Sequence, residues 1–275
     1  MVKQVIMAKE MGFCFGVKRA LDIVNNQQGE LSILGDLIHN KTVIERLKEK
    51  GVRFIESIDE AKTKKIVITA HGAADSVKDK VQRNGFEMID TTCPFVENIH
   101  KLTKEKEKEG YFIVLIGKPD HVEVKGIIKD LKHKLVVNNL ENVEKLKNER
   151  AAVFCQTTQE ADKVEKILEK IKKKVKEVEF YDTICEATKS RQSSAKEVAK
   201  KADIMIVVGG KHSSNTIRLK EVCSKIVETR HIEFPEELMK DWFKEKDVVG
   251  ITAGASTPQD IISKVVGIIK TYNGG

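Results

Sequence analysis

Three of the five cysteines stand where thiols could do chemistry together. Cys14 in GFCFGVKRA, Cys93 in IDTTCPFVE and Cys185 in YDTICEATKSRQ each fall where an apolar, strand-like segment gives way to a helix-like one. They divide the chain into near-thirds. Helix N-termini concentrate unpaired N–H groups and positive potential, which favour thiolate over thiol. Three convergent thiolates would hold a metal or a cluster. A single cysteine more often serves as a small buried hydrophobe, and two fit that description. Cys155 ends the apolar run AAVFC, and Cys223 shares a helical face with Leu219, Val222 and Ile226. An odd cysteine count without paired C-x-x-C spacing argues against a disulfide framework and against a zinc ribbon.

Other chemically capable residues follow the same pattern. After LSILGDLI comes His39-Asn40, and after KIVITA comes His71-Gly72. After YFIVLIG comes Lys118-Pro119-Asp120-His121-Val122-Glu123, and after AAVFC comes Gln156-Thr157-Thr158. After DIMIVVGG comes Lys211-His212-Ser213-Ser214-Asn215, and after VVGITAG comes Ala255-Ser256-Thr257-Pro258. Each piece alone has an ordinary explanation: Ser-Ser-Asn can be no more than a helix cap, and a lone histidine a hydrogen-bonded structural group. Repeated at strand end after strand end, they resemble a distributed anion site. No G-x-x-x-x-G-K-[ST] occurs, and no G-x-G-x-x-G follows the first strand, which disfavours a P-loop NTPase or a conventional nicotinamide dehydrogenase.

The elements that must position these residues alternate strand and helix. Twelve segments read as strands: KQVIMAK, LSILG, VRFI, KIVITA, FEMID, YFIVLIG, KLVVN, AAVFC, VEFYD, DIMIVVGG, RHIEF and VVGITAG. Several are continuous apolar runs, the mark of buried parallel strands. The pattern predicts an α/β fold with mainly parallel sheets, whose ligands bind at the carboxyl ends of strands. Pro94 and Pro258 fit the first position of the helices that follow. In KVEKILEKIKKKVKEVE, residues Val164, Ile167, Leu168, Ile171, Val175 and Val178 form an apolar stripe at helical spacing. The lysines there become a solvated outer face, so the net charge of +7 does not make nucleic-acid binding a main function. No apolar run reaches the length of a membrane span. The N-terminal MVKQVIMAKEMGF lacks the pattern of a secretory signal, which predicts a cytoplasmic protein.

Together the motifs GFCFGVKRA, LIHN, AHGAA, TTCP, HVEVKG, QTT, DTIC-AT-RQ, KHSSNT and TAGAS resemble, in order, those of the 4-hydroxy-3-methylbut-2-enyl diphosphate reductase family, also called IspH or LytB. The resemblance runs from about residue 5 to residue 270. One departure is visible: the family's common His-Pro-Glu-Val reads His121-Val122-Glu123-Val124, with histidine and glutamate kept. The resemblance implies three small α/β domains in a pseudo-threefold, trefoil-like arrangement around a central cluster. Their expected bounds are 14–93, 94–182 and 183–275, the last joined by an N-terminal strand in residues 1–13. It implies a [4Fe–4S] cluster on Cys14, Cys93 and Cys185 with one iron left open. It also implies reductive dehydroxylation of an allylic diphosphate to isopentenyl and dimethylallyl diphosphate, the last step of the methylerythritol phosphate route. Glu123, Thr157 and His121 would be catalytic. His39, His71, His121, Thr157, Ser213, Ser214, Asn215 and Ser256 would bind substrate, and an external ferredoxin or flavodoxin would supply electrons. The residues by themselves leave three rivals open: a non-redox phospho-ligand protein with structural cysteines, a nucleic-acid-binding protein exploiting the basic charge, which leaves the strand-end His and Cys pattern unexplained, and an iron–sulfur enzyme of the same fold acting on another allylic or acyl substrate.

Overall fold

The computed structural model describes residues 2–272. β1 (Gln4–Met7) opens the chain. Strands β2 (Leu31–Leu34), β3 (Arg53–Ile55), β4 (Lys65–Ile68) and β5 (Glu87–Asp90) form a sheet in the order β3-β2-β4-β5. Strands β6 (Phe112–Ile116), β7 (Lys134–Val137), β8 (Arg150–Cys155) and β9 (Glu177–Phe180) form a second, β7-β6-β8-β9. The third sheet, β11-β10-β12-β1, joins β10 (Ile204–Val208), β11 (Thr229–Ile232) and β12 (Val248–Ala253) to the N-terminal strand. Every pairing is parallel. All three sheets repeat one topology, and β1 takes the fourth place in the last. The α/β reading with parallel sheets holds for all twelve strands.

The helices are α1 (Phe15–Asn25), α2 (Lys41–Glu49), α3 (Asp75–Arg83), α4 (Pro94–Lys108), α5 (Val122–Ile128), α6 (Ala161–Lys174), α7 (Glu186–Ala199), α8 (Ser214–Ser224) and α9 (Gln259–Thr271). The chain divides into two compact units. One, Lys18–Ile38 with Ile44–Cys185, carries the first two sheets. The other, residues 2–17 with His39–Val43 and residues 186–272, carries the third. Among the described residues no helix is long and apolar enough to cross a membrane.

The continuous apolar strands are explained by cover on both faces. On β6, Val114 and Ile116 pack with Val164, Ile167 and Ile171 of α6. Ile113 and Leu115 point the other way, into Val124 and Ile127 of α5 and Ile99 of α4. A strand enclosed on both sides has no reason to alternate, and each such side chain contributes about 1.5–3 kcal/mol by leaving water.

Three local expectations shift. The α6 stripe stops at Lys174: Val175 is already extended, at φ −110° and ψ 131°, and Val178 belongs to β9, paired with Ala151. β-branched residues after a lysine run serve the next strand better than another helical turn. Ile226 lies past the end of α8 and is 40 % exposed, so only Leu219 and Val222 share the core with Cys223. Pro94 is the first helical residue of α4 as expected, whereas Pro258 stands one place earlier, as the N-cap of α9.

Candidate functional site

The three cysteine corners are built alike. Cys14, Cys93 and Cys185 each immediately precede a helix, α1, α4 and α7. Each follows the fourth strand of its sheet, β1, β5 or β9. Each donates its backbone N–H to the carbonyl two residues past the end of the sheet's third strand. Cys93 bonds Ala70 at 3.0 Å beyond Ile68, Cys185 bonds Thr157 at 3.0 Å beyond Cys155, and Cys14 bonds Ala255 at 3.1 Å beyond Ala253. The acceptor in every corner is, or directly precedes, a candidate ligand residue: Ala70 before His71, Ala255 before Ser256, and Thr157 itself.

Burial separates these thiols from the other two. Cys14, Cys93 and Cys185 are half-buried, while Cys155 and Cys223 are fully enclosed. Burial pushes the Cys223 thiol up to about 12, which leaves it inert. Among the described residues no group of three or more His, Cys, Asp or Glu side chains stands together as a ready metal cage. Cys14 belongs to one compact unit, and Cys93 and Cys185 to the other. In kind, three accessible thiols at matching helix starts fit an iron–sulfur group, since soft thiolates are its ligands and two sealed cysteines offer no competition.

The larger unit holds a chain of contacts around Glu123. His121 caps α5, and its Nδ1 accepts the Glu123 N–H at 3.2 Å. With Nδ1 engaged as an acceptor, Nε2 is the ring nitrogen left to donate. Glu123 is 2 % exposed. Thr157 donates its N–H to Glu123 Oε1 and its hydroxyl to Oε2, each at 2.7 Å. Burial pushes the Glu123 carboxyl above its ordinary range, and the two Thr157 bonds offset only part of that rise. The group is therefore disposed to hold a proton. The His71 ring meets His121 edge to face, with centroids 5.8 Å apart.

The smaller unit gathers the hydroxyl and amide candidates. Ser213 caps α8 by accepting the Thr216 N–H at 3.4 Å, and Ser214, half-buried, is the first helical residue. Asn215 is 5 % exposed, and its Nδ2 has no hydrogen-bond partner among the described residues. A buried amide donor left in that state calls for an acceptor from outside the chain. Ser256 donates to the His39 carbonyl at 2.9 Å. A Cβ on Gly210 would stand 2.6 Å from that same oxygen, so only glycine lets the β10–α8 loop approach it. The candidates also share a register. His39, His121 and Ser213 each lie five residues past the equivalent strands β2, β6 and β10 (from Leu34, Ile116 and Val208), and His71 and Ser256 lie three past β4 and β12 (from Ile68 and Ala253).

Supporting residues went unnoticed in the sequence. Asp90 accepts both the Thr92 N–H, at 2.9 Å, and the Thr92 hydroxyl, and pairs with Lys78 at 2.6 Å. Burial alone would raise Asp90, but Lys78 and Thr92 hold it below the usual carboxylate value. Asp182 likewise accepts the Ile184 N–H at 3.2 Å. Thr91 and Thr183 donate hydroxyls at 2.6 Å to Ile68 and Cys155, the last residues of β4 and β8. The signal was the repeated D-T-x-C at 90–93 and 182–185, an aspartate turn that sets up each cysteine.

Residues 5–270 match the family model described as LytB protein. The 4-hydroxy-3-methylbut-2-enyl diphosphate reductase of Caldanaerobacter subterraneus is 42 % identical, covering 98 % of both chains. That of Aquifex aeolicus is 39 % identical over 95 % of this chain and 94 % of its own. Among solved structures, the E-1-hydroxy-2-methyl-but-2-enyl-4-diphosphate reductase of Plasmodium falciparum superposes with a TM-score of 0.93 at 29 % identity, over 98 % of this chain and 89 % of that one. A second, described as (E)-4-hydroxy-3-methyl-but-2-enyl diphosphate reductase, the terminal enzyme of the non-mevalonate pathway, has a TM-score of 0.70 at 39 % identity, over 98 % of this chain and 100 % of its own. Agreement of this extent in sequence and architecture means that the chain belongs to the LytB family of non-mevalonate-pathway reductases.

Proposed function

We propose that the chain reduces (E)-4-hydroxy-3-methylbut-2-enyl diphosphate to isopentenyl and dimethylallyl diphosphate. Two electrons and two protons enter, the C4–O bond breaks, and the hydroxyl leaves as water. Cys14, Cys93 and Cys185 would hold a [4Fe–4S] cluster. When bound, that cluster supplies the electrons and an iron without a protein thiolate that can act as a Lewis acid. An external carrier of ferredoxin or flavodoxin type recharges it, in the reducing setting of the cytoplasm. The expected domain bounds, 14–93, 94–182 and 183–275 with the N-terminal strand, and the trefoil-like arrangement around the cluster, belong to the same reading.

The observation that carries it is the double role of Thr157, whose N–H and hydroxyl clasp Glu123 while its carbonyl accepts from Cys185. A proton source is thus fixed to a cysteine corner by one residue. Hydroxide leaves poorly, so a proton must reach the leaving oxygen. The Thr157 N–H pins Oε1 of Glu123, which leaves Oε2 to carry the proton to Thr157 Oγ1 and on to the substrate oxygen. The diphosphate would be held by His39, His71, His121, Ser213, Ser214, Asn215 and Ser256. His121 donates through Nε2 and Asn215 through its unsatisfied amide.

Anaerobic purification with iron and acid-labile sulfide analysis tests this reading. Four iron and four sulfide per chain are expected, lost in Cys14→Ser, Cys93→Ser and Cys185→Ser and kept in Cys155→Ala and Cys223→Ala. Turnover of the allylic diphosphate with a chemical reductant then identifies the reaction. A reconstituted protein without iron, or a loaded one that leaves the substrate untouched, would overturn the proposal.

A further inference from the structure

Arg191 is a buried cation with no carboxylate partner among the described residues. It lies on α7, six residues after Cys185, and is 5 % exposed. Nη1 donates to the Ala187 carbonyl at 2.9 Å and Nη2 to the Gly12 carbonyl at 2.8 Å. Among the described residues the buried Nε has no hydrogen-bond partner and no carboxylate pairs with the guanidinium. Three arginines elsewhere behave otherwise: Arg150 pairs with Glu177, Arg218 with Glu221 and Arg230 with Glu228, all with some exposure to water.

A guanidinium is a permanent cation. Two carbonyl dipoles do not neutralise it, and a charge removed from water without an opposite charge is strongly destabilising. Such a residue persists where a negative charge arrives from outside the protein. The place is informative: its two acceptors stand two residues before Cys14 and two residues after Cys185. One buried fork thus ties the chain entering the first cysteine corner to the first turn of the helix that leaves the third.

We propose that Arg191 is the fixed counter-charge of the iron–sulfur cluster, an inference that rests on the cluster reading above. Three thiolates outweigh the charge of an oxidised cubane core, so the bound group is an anion, and each added electron deepens the excess. A buried cation anchored beside two of the cysteine corners would stabilise the reduced form more than the oxidised form and raise the midpoint potential. Arg191 touches neither substrate nor reacting atoms in this role. It tunes the electron store and braces the two backbone segments beside it.

The test is a redox titration of anaerobically purified holoprotein, followed by the spectroscopic signal of the reduced cluster, with iron and sulfide counted in each sample. Wild type is compared with Arg191→Lys, which keeps the charge and loses the fork, and with Arg191→Gln, which keeps a donor and loses the charge. A unit charge at interior separations and an effective dielectric near 20 is worth about tenfold in such a ratio. At a potential where wild type is half reduced, Arg191→Gln should therefore show a reduced-to-oxidised ratio about tenfold lower, about 59 mV for one electron. Arg191→Lys should stay within about threefold of wild type. Loss of iron from the glutamine variant alone supports the same conclusion through cluster retention. Equal behaviour of the two variants, in potential or in iron loss, would assign Arg191 to bracing the carbonyls and overturn the counter-charge. Wild-type protein that binds no iron would instead remove the cluster reading itself and this inference with it.

Discussion

Thr157 grips both carboxyl oxygens of Glu123, one through its backbone N–H and one through its hydroxyl, at 2.7 Å each. The clasp orders the carboxyl and supplies a second hydroxyl oxygen along the proton's path. Glu123→Gln keeps the shape and removes the proton. Turnover should fall by about 10²–10⁴-fold, the usual worth of a general acid, while iron content is unchanged and KM moves by less than about threefold. Steady-state kinetics beside iron analysis checks this, and unaltered turnover would remove Glu123 from the proton path. Thr157→Val should also slow turnover, by about tenfold or more, and Thr157→Ser should restore most of it.

Stability should carry the mark of Glu123 as well. Its carboxyl is raised above the ordinary 4.5 by burial, so the folded state binds the proton more tightly than the unfolded chain. That contribution is complete below the ordinary value and is lost as pH rises through the folded one. Wild type should therefore weaken relative to Glu123→Gln as pH climbs from below 4.5 through the raised folded value. Urea midpoints of both proteins at several pH values report it, and parallel curves would show that burial does not perturb the group.

His100 should set an opposite slope. Burial, with help from Lys104 and Lys78 and against Asp75 and Asp90, lowers it from 6.5 to about 4. Its Nε2 is buried without a hydrogen-bond partner among the described residues, against the His71-Gly72 turn, where a Cβ on Gly72 would lie 3.2 Å away. The folded state excludes the proton, so stability is complete above pH 6.5 and declines as pH falls toward 4. His100→Leu should flatten that decline in denaturation experiments between these limits. An unchanged acid slope would place its origin elsewhere.

Substrate grip should respond to Asn215 and Gly210 in different ways. Asn215→Ala removes a buried donor that has no partner among the described residues, and a hydrogen bond to a charged ligand is worth about 1.5–3 kcal/mol. KM for the diphosphate should rise by about tenfold or more, with a smaller change in kcat and little loss of stability. Gly210→Ala instead drives a methyl to 2.6 Å from the His39 carbonyl. Overpacking of this kind costs about 1–3 kcal/mol, so the thermal midpoint should fall together with substrate affinity. Calorimetry and steady-state kinetics on the two variants separate a lost contact from a displaced loop.

The twelve strands, the helix starts behind the three cysteines and the candidates at strand ends are legible without coordinates, because those signals are local. Runs of apolar residues, capping residues and Pro94 act over a few positions and are read by spacing. Even the repeated aspartate turn before Cys93 and Cys185 was legible, though it was overlooked. Where local signals conflicted, tertiary structure decided: Val178 fits a helical stripe by spacing, yet pairing with Ala151 draws it into β9. Strand order also lay outside the sequence. Glu123 follows β6 and Thr157 follows β8, and they meet because β6 and β8 are neighbours in register, Ile116 beside Cys155. The lone guanidinium of Arg191 and the amide of Asn215 could be recognised only in three dimensions, since a missing partner depends on every group that packing brings near. Local sequence fixes which groups are available, and the non-local pairing of strands fixes which of them face one another.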